Sequence, residues 1–407
     1  MTPAVFGNDD APLRQDGHPP GGVLRTGVLR DRAAIEALAA EWNPLLERSA
    51  ADSVFLTWEW MQSWLDAAGD AVRPLVVTAR DERGHLVGLA PLYGTSLALG
   101  GLLRYRALRL LGDDQSGSEY ADWIVDPDRE EAASRALAEA LVRDGGPWEC
   151  LWIPRVAGWT GARRRLSGPF ARLGLHVHER PAVFSAVELP GTYAAFLRGL
   201  PNKARSSLLR RTRDTFAGGT RLAECRSEQD RTEFLDALFA LNHRRWSAVG
   251  QAGTFVRKPF EARFYRTFTP RALERGWLRL FALRNDAEFQ AVQIGYAYRG
   301  TFHQLQEGFD PGGSSGAGNV LRGQVIERCI QEGLTAYDFL GGFTEHKKRW
   351  LARERHGCDL FIGRRSLKNA LAFSAGLWPT GRYLRVARPL SAPSRRGRAE
   401  EKGAAGG

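Results

Sequence analysis

Residues 301–343 read TFHQLQEGFDPGGSSGAGNVLRGQVIERCIQEGLTAYDFLGGF, and their order decides the fold. The run 301–309 has the composition of a strand. Residues 310–319, DPGGSSGAGN, form a glycine-rich loop that opens a helix at about 319–332, and the apolar run 335–340, TAYDFL, closes the unit as a second strand. Glycines allow a sharp turn that aims several backbone N–H groups at one point. The helix start adds unpaired N–H groups and a favourable dipole, so a pyrophosphate is the expected guest. No Gly-Lys-Ser/Thr follows, which excludes a Walker loop. A dinucleotide fingerprint would follow the first strand of a parallel βαβ unit, and this loop does not.

Upstream, residues 277–283, 284–288 and 289–299 read as strand, turn and hairpin partner. The same order occurs earlier in the chain: 73–80, 85–93 and a run ending at Gly112, then 120–125, a helix over 129–142, and a buried strand at 148–153. Two β–β–β–loop–helix–β units predict an α/β chain with mixed sheets, pseudo-duplicated, with peripheral helices. The expected division is a disordered tail at 1–22, a first domain at 23–185, a second at 186–366, and a basic helical segment with a loose tail at 367–407. Helices are expected over 33–46, 57–68, 203–217 and 230–248. In the first unit the loop position is taken by VDPDR, residues 125–129, whose two aspartates would repel a phosphate. One unit is equipped for an anion and the other is not, which points to a single site within 186–366.

The chain is 407 residues long, which suits two domains. No apolar run approaches the roughly 20 residues of a membrane span, and the basic start and apolar run of a signal peptide are missing. The four cysteines lack CxxC or metal spacing, so the expectation is a cytoplasmic protein without a metal. A net charge of +11 fits an anionic partner of some kind. The basic helix NKARSSLLRRTR, residues 202–213, offers Lys203 and Arg205 to substrate or phosphate. It lacks the interleaved aromatics of single-strand binders, so no stable nucleic-acid partner is expected.

Strict alternation along 301–309 puts Gln304 and Gln306 on one face and His303 and Glu307 on the other, both near the phosphate loop. Glu307 is a candidate general base, as is His303. Tyr337 is placed to protonate a leaving thiolate and Asp338 to orient a nucleophile or a basic side chain. Lys347, Lys348 and Arg349 follow the closing strand and could hold an acidic substrate or the donor's phosphates, with His303 and Gln304 also contributing to substrate binding.

The runs FLTWEWMQSW (55–64), KARSSLLRRTR (203–213), FHQLQEGFDPGGSSGAGNVL (302–321) and YDFLGGFTEHKKRW (337–350) occur in this order. In this pattern the chain resembles GNAT-type acetyltransferases of the cellulose-biosynthesis (CelD/BcsL-like) group, relatives of the FemABX peptidyltransferases. The resemblance implies two tandem GNAT-like domains with the donor site in the second. It implies acetyl-CoA or another acyl-CoA as donor, its pyrophosphate held by amides at Gly316, Gly318, Asn319 and Val320. The loop departs from the usual GNAT R/QxxGxG/A by lacking Arg or Gln at the lead position, and FemABX relatives use aminoacyl-tRNA, so tRNA stands as the alternative donor. Transfer would be direct, with the oxyanion stabilised by backbone N–H groups near Gln306. The acceptor would be a small molecule or a glycan or cell-envelope precursor. Peripheral contact with the inner membrane face through the basic C-terminal segment is compatible with this, and a non-catalytic scaffold is the remaining reading.

Overall fold

The computed structural model describes residues 23–99, 103–113, 116–286, 288–312, 316–374 and 384–386. The expected tail at 1–22, the middle of the glycine loop at 313–315 and the chain after 386 lie outside these residues.

The first half runs β1 (Arg25–Leu29), α1 (Arg32–Glu36), α2 (Ala39–Arg48), α3 (Trp58–Ala68), β2 (Arg73–Arg80), β3 (Leu86–Leu99) and β4 (Leu103–Leu110). It continues with β5 (Ile124–Val125), α4 (Glu130–Asp144), β6 (Cys150–Ala157), α5 (Ala162–Arg172) and β7 (His176–Glu188). The second half begins with α6 (Tyr193–Gly199), α7 (Asn202–Ala217), β8 (Arg221–Glu224), α8 (Glu228–Ser247), α9 (Thr254–Arg257) and α10 (Pro259–Glu274). Strands β9 (Leu278–Arg284), β10 (Phe289–Tyr298) and β11 (Thr301–Phe309) lead into α11 (Ala317–Gln331) and β12 (Ala336–Gly341). Last come α12 (Glu345–Lys348), β13 (Arg353–Gly363), α13 (Leu367–Ser374) and β14 (Leu384–Val386). The basic segment expected to be helical from 368 onward therefore includes a short strand, β14, which pairs with β3.

One mixed sheet of fourteen strands carries the order β1-β2-β3-β4-β6-β13-β7-β12-β11-β10-β9-β8, with β5 and β14 both on β3. Read inward from each edge, the two units match. In both, the third strand pairs in parallel with the closing strand, β4 with β6 and β11 with β12, while the other pairings among the described residues are antiparallel. In both, the closing strand is interrupted near its end at a non-glycine residue with positive φ, Arg155 at 61° and Leu340 at 60°. At the centre the chain crosses over: β7, from the first half, pairs with β12, and β13, from the second, pairs with β6. The boundary expected at 185/186 falls inside β7.

The halves also share a core. Helix α3 is apolar nearly all round and buries Trp60, Met61, Trp64 and Leu65. Thr57 caps its start through its hydroxyl, and Gly69, at φ 52°, ends it. Trp60 packs on Phe264 and Phe268 of α10, with ring centroids 4.6 and 4.7 Å apart. Buried aromatics of this size dominate core energetics, so the two units are fused through α3 and α10.

Candidate functional site

Strands β11 and β12 pair only at Thr301–Ala336, Phe302–Tyr337 and His303–Asp338, and beyond this last pair they separate as a V. The antiparallel register with β10 slips between Ile294, opposite Gln306, and Gly295, opposite Gln304, so Leu305 is an extra residue on β11. Gly295 is required there: a Cβ would meet the Phe302 ring at 2.3 Å and the His303 carbonyl at 2.4 Å. The bulge overturns the alternation read from the sequence. Gln304 and Glu307 share one face, 3.4 Å apart. His303 and Gln306 lie on the other, where Gln306 donates to Glu261 at 3.0 Å.

On the first face a hydrogen-bonded chain runs from β10 to α11. Gln293 donates to the Tyr337 hydroxyl at 2.6 Å, which donates to Gln304 at 2.9 Å. Gln304 reaches Glu307, and Glu307 is ion-paired with Arg322 of α11. Arg322 is buried, lies between Phe339 and Trp350, and also donates to Asn319 and to the His346 ring at 3.2 Å each. Burial and then the Arg322 charge hold His346 below the usual imidazole range, so its Nε2 accepts from Arg322. Glu307 is thus the counter-ion of a buried guanidinium. Burial raises the Tyr337 phenol, whose proton is committed to Gln304.

Helix α11 starts at Gly316, φ 96°, with no side-chain cap and no acidic residue in its first turn. Asn319 and Val320 already donate their N–H groups to the Gly316 carbonyl, at 2.9 and 3.1 Å. Helix geometry leaves Ala317 and Gly318 to point theirs outward. Arg211 of α7 lies over this start: a Cβ on Gly316 would come within 2.0 Å of its guanidinium. Lys203 is exposed at the far end of α7, and Arg205 bonds Asn202 at 3.0 Å. Lys347 donates to the Phe339, Gly341 and Gly342 carbonyls at 2.6–2.9 Å, which ties down the splayed end of β12. Burial lowers its ammonium to about 8, which leaves it charged at neutral pH. Lys348 and Arg349 face solvent.

The second face belongs to both halves. Asp338 is buried and accepts from the Tyr120 hydroxyl at 2.5 Å and the Leu340 N–H at 2.8 Å. His303 Nδ1 and Arg355 stand 3.6 Å from it. Burial alone would raise this carboxyl, but the His303, Arg355 and Tyr120 contacts hold it below the usual carboxylate range. These groups line a cleft of about 100 Å³ between the units. At the end of β12, Glu119 pairs with Arg155 and accepts from the Gly341 N–H at 3.2 Å. Burial pushes its carboxyl up to about 7.

Sequence reasoning brought together His303, Gln304, Glu307, Tyr337 and Asp338. It had Arg211 among the outward cations of the basic helix without assigning it to the loop, and it missed Arg322, Tyr120, Arg355, Glu119 and Glu261. Arg211 lies inside the basic run 203–213 and Arg322 one residue past the run 302–321, whereas Tyr120 and Asp338 are 218 residues apart. Among the described residues no group of His, Cys, Asp and Glu could hold a metal, and no helix is long and apolar enough to cross a membrane.

Residues 202–348 match the family model described as Acetyltransferase (GNAT) domain. No curated protein matches the chain. Among solved structures, FemX has a TM-score of 0.60 at 12% identity, over 86% of this chain and 99% of FemX. L-PGS from Bacillus licheniformis gives 0.48 at 14% identity over 86% and 97%. A tandem GNAT protein from the clavulanic acid biosynthesis pathway gives 0.47 at 12% over 84% and 98%. A stretch similar to a GNAT acetyltransferase domain therefore sits in a chain whose fold is similar to that of FemX.

Proposed function

We propose that the protein is an acyltransferase that passes the acyl group of an acyl-CoA, acetyl-CoA in the simplest case, directly to an amine or hydroxyl. The observation that carries this reading is the uncapped start of α11 beside the V between β11 and β12. Gly316 supplies the turn, Ala317 and Gly318 the outward amides, and Arg211 a cation, which together suit a pyrophosphate. The thioester would then lie in the V, where main-chain N–H groups near the bulge can meet the developing oxyanion. Glu307 holds Arg322 and, through it, Asn319 beside the loop. The match of residues 202–348 to a GNAT domain supports the same assignment. A glycan or envelope precursor as acceptor, a cytoplasmic location, and a place in the cellulose-biosynthesis (CelD/BcsL-like) group complete the proposal.

One observation favours a second donor. The outer face of α7 presents Lys203, Arg210 and Arg213 to solvent, which suits an aminoacyl-tRNA. Calorimetric titration with acetyl-CoA separates the two, repeated on Arg211→Glu and on Gly318→Asp, whose carboxylate would stand near Glu307. Binding that both substitutions abolish supports the acyl-CoA reading. No binding by the wild type, with salt-sensitive tRNA binding instead, would replace it.

A further inference from the structure

We propose that the acceptor is an alcohol that enters the cleft between the two units, and that His303 takes the proton from its hydroxyl. The inference rests on the donor reading above and goes beyond it by assigning the base and the acceptor class.

His303 and Asp338 are the last paired residues at the base of the V, where the thioester arrives. The imidazole is fixed on three sides. Its Nδ1 faces Asp338, and its ring lies 5.3 Å from Phe55 and 6.3 Å from Tyr120. With Nδ1 turned to the carboxylate, Nε2 lies across the ring, as in a base oriented by an acid. Tyr120 comes from the first unit and Arg355 from the strand that crosses over to it, so the second unit alone does not complete the site. Glu307 is no rival, because it lies on the opposite face and is held by Arg322.

Charge balance selects the acceptor. The groups around His303 are Asp338 on β12, Arg355 on β13, Tyr120 on the loop before β5, and Asp52 with Arg299 at the cleft mouth. Asp338 stands 3.6 Å from Arg355, Asp52 pairs with Arg299 at 2.7 Å, and Asp122 pairs with Arg165. Each of these carboxylates already has a cation within 4 Å, with Arg299 also serving Glu47 and Arg165 also serving Glu130, so none stands unpaired to compensate an ammonium stripped of water. A neutral hydroxyl carries no such penalty. About 100 Å³ holds several waters or a small polyol. Trp159, stacked under Arg355 at 3.3 Å, provides a flat wall.

In the step itself the hydroxyl oxygen bonds to the thioester carbonyl carbon as its proton passes to His303. The carbon–sulfur bond breaks, and the CoA thiolate leaves and takes up the proton. The products are an ester and free CoA, with no redox change.

The test measures thiol release from acetyl-CoA with water alone, with glycerol and with ethylamine. Glycerol should raise release by the wild type above hydrolysis, and above ethylamine at equal concentration. His303→Gln should lower that increment by roughly 100-fold or more while acetyl-CoA still binds by calorimetry. Tyr120→Phe, which keeps the ring and removes only the hydroxyl on Asp338, should lower kcat for glycerol without changing the acetyl-CoA KM. Normal acetyl-CoA binding without a glycerol increment, faster transfer to ethylamine, or a His303→Gln increment within threefold of the wild type would each overturn this proposal alone. Absence of acetyl-CoA binding would instead sink the donor reading beneath it.

Discussion

The starts of α4 and α11 occupy the same place in two matching units, and they differ in what fills them. At α4 the chain brings its own anions. Asp126 accepts from the Asp128 N–H, Glu130 and Glu131 stand in the first turn, and Arg48 and Arg165 neutralise Asp126 and Glu130. At α11 there is a left-handed glycine, no acid in the first turn, and Arg211 overhead. The Vs differ likewise. In the first unit β4 and β6 pair only at Ala107–Cys150 and Leu108–Leu151, and just past β4 Trp60 donates to the Gly112 carbonyl at 3.2 Å while Asp113 is held by Arg109 at 3.1 Å and Tyr93 at 2.5 Å. A duplicated frame therefore does not imply duplicated chemistry: one helix start is satisfied by the chain's own acids, and the other has none in its first turn.

The comparison breaks most visibly at the two glutamate–arginine pairs beside these helices. Glu307→Gln strands the buried Arg322 guanidinium, and thermal or urea denaturation should show a loss of about 3–5 kcal/mol. Glu130→Gln leaves Arg165 its second partner Asp122, and should cost about 1 kcal/mol or less. Equal costs would mean that Arg322 does not depend on Glu307 as its counter-ion.

Next comes the seam between the units at Glu119. Its folded carboxyl titrates near 7, above its ordinary value of 4.5, so its contribution to stability is fully present below about 4.5 and is lost as pH rises through 7. Over that window the group costs on the order of 2–3 kcal/mol. Glu119→Gln should therefore flatten the fall in Tm between pH 5 and pH 8. An unchanged slope would remove Glu119 as its source.

The smallest expected effect sharpens the comparison at the helix starts. Arg211→Ala should weaken acetyl-CoA by roughly 1.5 kcal/mol, a little over tenfold. Arg129→Ala, at the start of α4, should leave the affinity within twofold, and a matching loss there would mean that the first unit also holds donor.

Much of the frame was legible from local pattern. The β11–loop–α11–β12 run lies within about two residues of where the sequence placed it, and the aspartates of 125–129 signalled the asymmetry. Three things were not legible. The bulge at Leu305 adds one residue to a period of two, which periodicity cannot register, and it reverses the faces of Gln306 and Glu307. Helix α10 carries Pro270 and β13 opens on charged residues, so neither stood out. The exchange of β7 and β13 depends on pairing across more than 150 residues, and that exchange brings Arg355 beside Asp338. Local pattern named one half of the cleft because the other half comes from distant chain.

Hydrogen–deuterium exchange of the full chain, with and without acetyl-CoA, reads out which helix start holds the donor. Bound donor should slow exchange over residues 309–322, at the start of α11, and leave 126–134, at the start of α4, unchanged. Protection at the α4 start, or at neither helix, would contradict the assignment of the donor site to the second unit.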